Sequence, residues 1–330
     1  MQHAFSPRRR TLLRAAAATT LGAPLLARAQ EPIAGGRTIT LVVSYAAGGG
    51  ADLMARLIAP HMGRALGQTV VVDNRPGAGG QIAAGQVARA TPDGTQLLLD
   101  ASSFAVNPSL YAKLPYDTNT AFAPLAVLAL FPNVLVCNPS FEAKTVRDLI
   151  RAAKAQPGSI SYASSGNGSA QHLAGALFED RAGVKLQHVP YKGGGPAMND
   201  VIAGQVPLFF ANVASSLGHI QAGKLRPMAA TSLRRARALP DVPTMQEAGV
   251  PGYEVLEWNP VLAPAGTPAP VRERLAKAIA QAMAEPEVLG RVRALSGEPF
   301  SGGPAEAAAF LKQQQAQWAR VVRERNIVLG

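Results

Sequence analysis

The chain has 330 residues, 32 Lys and Arg against 21 Asp and Glu, a formal net charge of +11 and a single cysteine. One cysteine excludes an intrachain disulfide. Aromatics make up only 5%, and beyond the first 29 residues the sole dense basic run is Arg234-Arg235-Ala236-Arg237, which argues against a nucleic-acid surface, where cationic stripes alternate with stacking rings.

The N-terminus reads as an export signal. Arg8-Arg9-Arg10 precedes a weakly apolar stretch, Leu12 to Ala27, and Ala27-Arg28-Ala29 is an A-x-A cleavage site. The stretch carries Arg14 and is too short for a membrane span. Residues 1–29 are therefore expected to be removed near Ala29, leaving an exported protein. Arg9-Arg10-Thr11-Leu12-Leu13-Arg14 approximates a twin-Arg motif, and an ordinary secretory signal stays open. The segment holds five Arg and no acid, so +11 − 5 leaves +6, a mild field that attracts anions.

From Thr38 the pattern alternates strand and helix. Thr38–Val43 is a strand, Ser44–Ala51 a Gly-rich loop, and a helix runs from Asp52 to a C-cap at Gly67. Val70–Val72 reads as a buried strand, Arg75–Gly80 as a loop, Gln81–Ala90 as a helix and Leu97–Leu99 as a third strand. This order predicts right-handed crossovers and a parallel sheet. A second run of the same kind starts near Pro132. Val134–Cys137 is strand-like, with Cys137 a buried core residue. Thr145–Ala155 is a helix. Ser159–Ala163 is a strand feeding a second Gly-rich loop, Ser164-Ser165-Gly166-Asn167-Gly168, and a helix from about Ser169. Gln187–Val189, Val206–Phe210 and Arg226–Thr231 are further strands, and Ser216–Ala222 is a short helix. The tail is helical over Pro270–Glu285, Glu287–Leu295 and Glu306 to about Asn326.

These elements predict an α/β protein of two lobes. Each lobe is a mainly parallel sheet flanked by helices, with a cleft between them. The first domain is discontinuous, residues 30–131 and 257–330. The second, residues 132–256, is inserted through hinge strands near 130–134 and 254–260.

Several chemistries are missing. Gly218–Leu225 nearly matches a phosphate-binding P-loop but ends in Leu where Ser or Thr would hold Mg²⁺. No G-x-G-x-x-G or G-x-S-x-G occurs, and His61, His172, His188 and His219 lack metal-ligand spacing. No cofactor, metal or catalytic residue is expected.

What remains is the strand–Gly-rich loop–helix pattern, present twice. Such a loop admits close backbone approach, and the helix start behind it offers unpaired N–H groups and a positive dipole end to an anion. Asp52 either caps its helix or accepts a bond from a solute, and the roles can coexist. Ser102 and Ser103 follow a strand at the carboxyl edge of the first sheet, where open α/β sheets bind ligands. Asn212 has the matching place in the second lobe. Ser164, Ser165 and Ser169 offer hydroxyls at the second helix start, and His172 either caps that helix or faces the cleft.

Ala46-Ala47-Gly48-Gly49-Gly50-Ala51-Asp52, Gly67 to Gly80, Ala163-Ser164-Ser165-Gly166-Asn167-Gly168-Ser169, His188-Val189-Pro190-Tyr191-Lys192-Gly193, Ala222–Arg226 and Pro240–Thr244 together resemble the solute receptors of tripartite tricarboxylate transporters, the Bug family. The resemblance covers nearly all of the chain beyond the signal. It implies a two-lobed, type II-like periplasmic binding protein, a receptor and not an enzyme, that closes on a small organic anion, usually a carboxylate, and presents it to a membrane permease. A monomer is expected, with no nucleic-acid partner. Carried over by position, the first ligand loop is Tyr45, Ala46, Ala47, Gly48 and Gly49, opening into Asp52. The second-lobe carboxylate site is Ser164, Gly166, Gly168 and Ser169. The chain departs from the family in Ser44-Tyr45-Ala46, where Pro-Phe-Pro is common, and in Ala211-Asn212, where Asp-Asn is common. A sensing role beside a sensor kinase and an exported α/β enzyme acting on carboxylates are the competing readings.

Overall fold

A computed structural model describes residues 31–324. The expected signal peptide and its cleavage site lie outside them. In chain order the strands are β1 (Ile39–Val43), β2 (Val70–Asn74), β3 (Gln96–Leu99), β4 (Phe122–Cys137), β5 (Ser161–Ser164), β6 (Gln187–Pro190), β7 (Leu208–Asn212), β8 (Arg226–Ala230), β9 (Leu256–Pro264) and β10 (Glu298–Pro299). The helices are α1 (Gly50–Leu66), α2 (Gln81–Ala88), α3 (Ser103–Leu110), α4 (Val146–Ala155), α5 (Ala170–Ala182), α6 (Gly194–Ile202), α7 (Val213–Gln221), α8 (Ala269–Ala284), α9 (Pro286–Ala294) and α10 (Pro304–Glu324).

The same strand order appears twice. One half runs β2-β1-β3-β9-β4 and the other β6-β5-β7-β4. In each, the first three strands are parallel, as the crossovers require. The fourth member of each set, β9 or β4, runs antiparallel. The sheets are thus mixed, parallel at the flank and antiparallel at the seam.

β4 makes the seam. Its residues from Phe122 to Pro132 pair with β9, and from Asn133 to Cys137 it pairs with β7. The sequence suggests a break at Pro132, because proline donates nothing to a ladder. The chain instead spends Pro132 where β4 changes partner. Strand β4 is buried on both faces, which its nearly unbroken apolar run allows. β2, in contrast, is an edge strand with Val71 41% exposed, although its run of valines reads as buried.

Helices cover both faces of the first half. Met54, Ile58 and Met62 of α1 and Leu275 and Ile279 of α8 share a core with Ile39, Leu41 and Leu97. On the other face Ala83 and Val87 of α2, Phe104 of α3 and Ala307 and Leu311 of α10 pack with Val42, Leu98 and Trp258. Further along α10, Trp318 and Val322 enter the cluster of Leu135, Phe178, Phe210 and Tyr253. The tail therefore packs on the first half, as its sequence suggests, and also reaches the second. Among the described residues no helix is long and apolar enough to cross a membrane.

Candidate functional site

The first Gly-rich loop is held by charge. α1 opens at Gly50 with Gly49 as N-cap, so Asp52 is the third helical residue rather than the cap. Its carboxylate accepts from the Gly48 N–H (3.0 Å) and Arg56 Nε (3.1 Å), and Arg56 Nη2 lies 3.0 Å from the other oxygen. Arg56 also donates to Asn74, whose amide donates to the Tyr45 carbonyl. Burial works to raise the Asp52 pKa, but bonds from Arg56, Gly48 and Asn74 win and hold it below the usual carboxylate range. Beneath the loop, Asp100 Oδ1 accepts from Ser44 Oγ (2.5 Å), the Ala101 N–H (2.8 Å) and Ser103 Oγ (3.2 Å), and Tyr45 donates its hydroxyl to Ser103. Burial pushes the Asp100 carboxyl up to about 6 against those bonds, and Oδ2 has no partner.

The second loop is held by neutral rings. Ser164 Oγ lies 2.6 Å from His188 Nε2 and accepts the Gly166 N–H. Ser169 caps α5 by accepting the His172 N–H, and the His172 ring returns the favour, its Nδ1 accepting the Gly168 N–H at 3.2 Å. The His172 and His188 rings stack 4.2 Å apart, and Tyr162 stacks on the outer face of His188. Burial lowers His172 to about 4. Burial and the neighbouring His172 lower His188 to about 3.

Backbone meets backbone where the halves approach. Ala46 N–H donates to the Lys192 carbonyl at 3.1 Å. A Cβ on Gly193 would sit 2.7 Å from the Ala46 nitrogen, and one on Gly195 would collide with the Ala47 carbonyl oxygen. Across the cleft, a Cβ on Gly79 would sit 2.6 Å from the Asn167 carbonyl. Only glycine permits these approaches.

Between the loops lies a small cavity of about 20 Å³, onto which four helix starts converge: Gly49 and Gly50 at α1, Ser169 and Gln171 at α5, Gly194 at α6, Asn212 and Ser215 at α7. The α1 and α6 starts have no side-chain cap, so their first N–H groups stay available to a ligand. A second cavity of about 150 Å³ shares Tyr45 and Ser165 with the first and continues past Gly77–Gly80, Gly166 and Lys192.

Of the residues expected from sequence, Tyr45, Gly49, Ser169 and Asn212 line the central cavity and Gly166 the adjoining one. Ala46, Ala47 and Gly48 form the contact with Lys192–Gly195. Asp52, Ser103 and His172 are committed to bonds inside their own loops, and Ser164 is bonded to His188 of β6. Gly168 packs on Asn107, and Ser102 is buried with its hydroxyl unpartnered.

Ser165, whose hydroxyl the sequence places beside the second helix start, lines the central cavity, as do Gln171 and Glu257, which the sequence does not single out. Glu257 is 5% exposed in β9 and accepts from Gln171 Nε2. Burial outweighs the neighbouring Asn212 and Gln171 amides and holds its carboxyl above the usual range. Its one sequence signal is an acid between Leu256 and Trp258 in a strand otherwise buried. No Arg, Lys or His lines this cavity, and among the described residues no three His, Cys, Asp or Glu group to hold a metal.

Two Gly-rich helix starts facing across a seam of shared strands define a two-lobed solute-binding protein. The family model of the tripartite tricarboxylate transporter family receptor matches residues 54–327, and the chain belongs to that family. It is similar to the periplasmic binding protein BugD, with 38% identity over 88% of this chain and 98% of that one and a TM-score of 0.85. An R. palustris protein solved with adipate is 36% identical over 88% and 98%, with a TM-score of 0.85. MatC from Rhodopseudomonas palustris, solved with bound malate, is 31% identical over 87% and 99%, with a TM-score of 0.83.

Proposed function

We propose that this protein is an extracytoplasmic receptor that captures a small carboxylate between its two Gly-rich loops and delivers it to the membrane permease of a tripartite transporter. The observation that carries this reading is the convergence of four helix starts on one cavity without a lining cation. Each start contributes about 0.3–1 kcal/mol toward an anion, and up to ~2 where partly buried. Charge-assisted bonds from Ser165, Ser169 and the free N–H groups add more. Micromolar binding needs about 8 kcal/mol net, so a buried Arg is not required. The ligands in the two R. palustris complexes, adipate and malate, are small carboxylates of the same class.

In this reading residues 30–131 and 257–330 form one lobe and 132–256 the other, with β4 and β9 as hinge strands. A cavity of about 20 Å³ has room for roughly one water, so a solute enters by parting the loops and binds as they close again. The receptor works as a periplasmic monomer, binding without chemical change to the solute. A thermal-shift screen against mono-, di- and tricarboxylates, amino acids and neutral sugars tests the proposal. A binder at a hundredfold excess over its Kd stabilises by about 2.7 kcal/mol. Shifts confined to carboxylates support the reading; ligand-free protein that responds to none of them contradicts it.

A further inference from the structure

We infer that Glu257 makes the pocket selective for a carboxylate that also carries a hydrogen-bond donor, a hydroxyl or an ammonium, over the plain acid of the same carbon chain. The inference rests on the central cavity being the carboxylate site. Glu257 comes from β9 at the seam and faces the same cavity as the starts of α1, α5 and α7. Its neighbours present donors. Gln171 Nε2 donates both to Glu257 Oε2 and to Asn133 Oδ1, which fixes the orientation of that amide. Asn212 Oδ1 accepts the Ala214 N–H, which turns Nδ2 toward the carboxyl, where it has no hydrogen-bond partner. Asn212 Nδ2 and Glu257 Oε1 lie side by side on the first residue of α1, 2.8 and 3.0 Å from where a Cβ on Gly50 would sit.

Glu257 is thus set as an acceptor. A carboxylate has about four lone-pair sites, and the one bond from Gln171, with the Asn212 amide beside it, does not fill them. No Arg, Lys or His lines the cavity to neutralise Glu257, so a donor on the solute is the group that completes it once the helix-start N–H groups and serine hydroxyls hold the solute carboxylate. A methylene placed there strands buried acceptor sites, and a hydroxyl or ammonium satisfies them. The solute carboxylate itself is kept for the helix starts, since a second anion against Glu257 is repelled.

Calorimetric titration of the purified protein with matched sets tests this: succinate, malate and aspartate, then propionate, lactate and alanine. Wild type is expected to bind a donor-bearing member of a set about tenfold or more tighter than the plain acid, and Glu257→Gln to bring that ratio near one while still binding. A preference for either the hydroxy or the amino acid supports the inference and names the donor. Equal wild-type affinities within each set overturn it without any variant, as does a ratio unchanged in E257Q. Binding without preference leaves the receptor reading intact, whereas no binding of any carboxylate removes both.

Discussion

The two Gly-rich loops do the same work with opposite electrostatics. The first is tied by an ion pair, Asp52 with Arg56, and stands on a buried carboxyl, Asp100, whose partners are all neutral. The second is tied by two stacked neutral histidines. Either set can freeze a loop so that its N–H groups point at one place. They differ in what a proton does to them, and that difference makes the halves separable by experiment.

The largest effect is expected where the loops meet. Gly195→Ala has an ordinary helical backbone to occupy, but its Cβ collides with the Ala47 carbonyl. Carboxylate affinity should fall about 100-fold, roughly 2.7 kcal/mol, with the unliganded Tm nearly unchanged. A Tm loss without an affinity loss would place the damage in the fold instead of the contact.

Acid should then pull the halves apart. Unfolded His titrates near 6.5, and the folded rings resist protonation to about 4 and about 3. Between pH 6.5 and 4 the unfolded chain binds more protons, so stability falls with pH, by about 1.4 kcal/mol per unit for each ring. Urea titrations from pH 7 to 4.5 should show this slope shrinking in His188→Phe. Asp100 has the other sign. Its folded pKa is about 6 against about 3.9 unfolded, so from pH 6 to 4 it adds stability as pH falls. Asp100→Asn should remove that opposing contribution, worth roughly 2 kcal/mol, and leave a steeper acid loss. Equal slopes in wild type and both variants would erase the contrast between the loops.

The smallest effect is local. Ser169→Ala removes the α5 cap and should cost about 1 kcal/mol of stability. The same change should weaken carboxylate binding, because Ser169 also lines the cavity. An unchanged Kd would confine Ser169 to capping.

Much of this was legible in the sequence, because local rules govern it. Gly67 ends α1 in the left-handed conformation and Ser169 caps α5, as their residue types require. The repeated strand–loop–helix unit gives both helix starts. What was not legible depends on tertiary placement. β4 is a single strand of 16 residues, hidden by Pro124 and Pro132. α3 is short and contains Pro108, so no helical period announces it. Ser164 and Ser165 are neighbours of one type, yet Ser164 is tied to His188 and Ser165 lines the cavity. Glu257 lies more than 200 residues from the loop it faces, and only the return of β9 to the seam brings it there.

A crystal structure of the protein with malate, or with whichever carboxylate gives the largest thermal shift, locates the bound anion directly. Carboxylate oxygens are expected about 3 Å from N–H groups at the starts of α1 and α6, with Ser165 or Ser169 completing the seat. A carboxylate bound elsewhere, such as the groove between α3 and α10 lined by Phe104, Pro108 and Leu311, would contradict that placement.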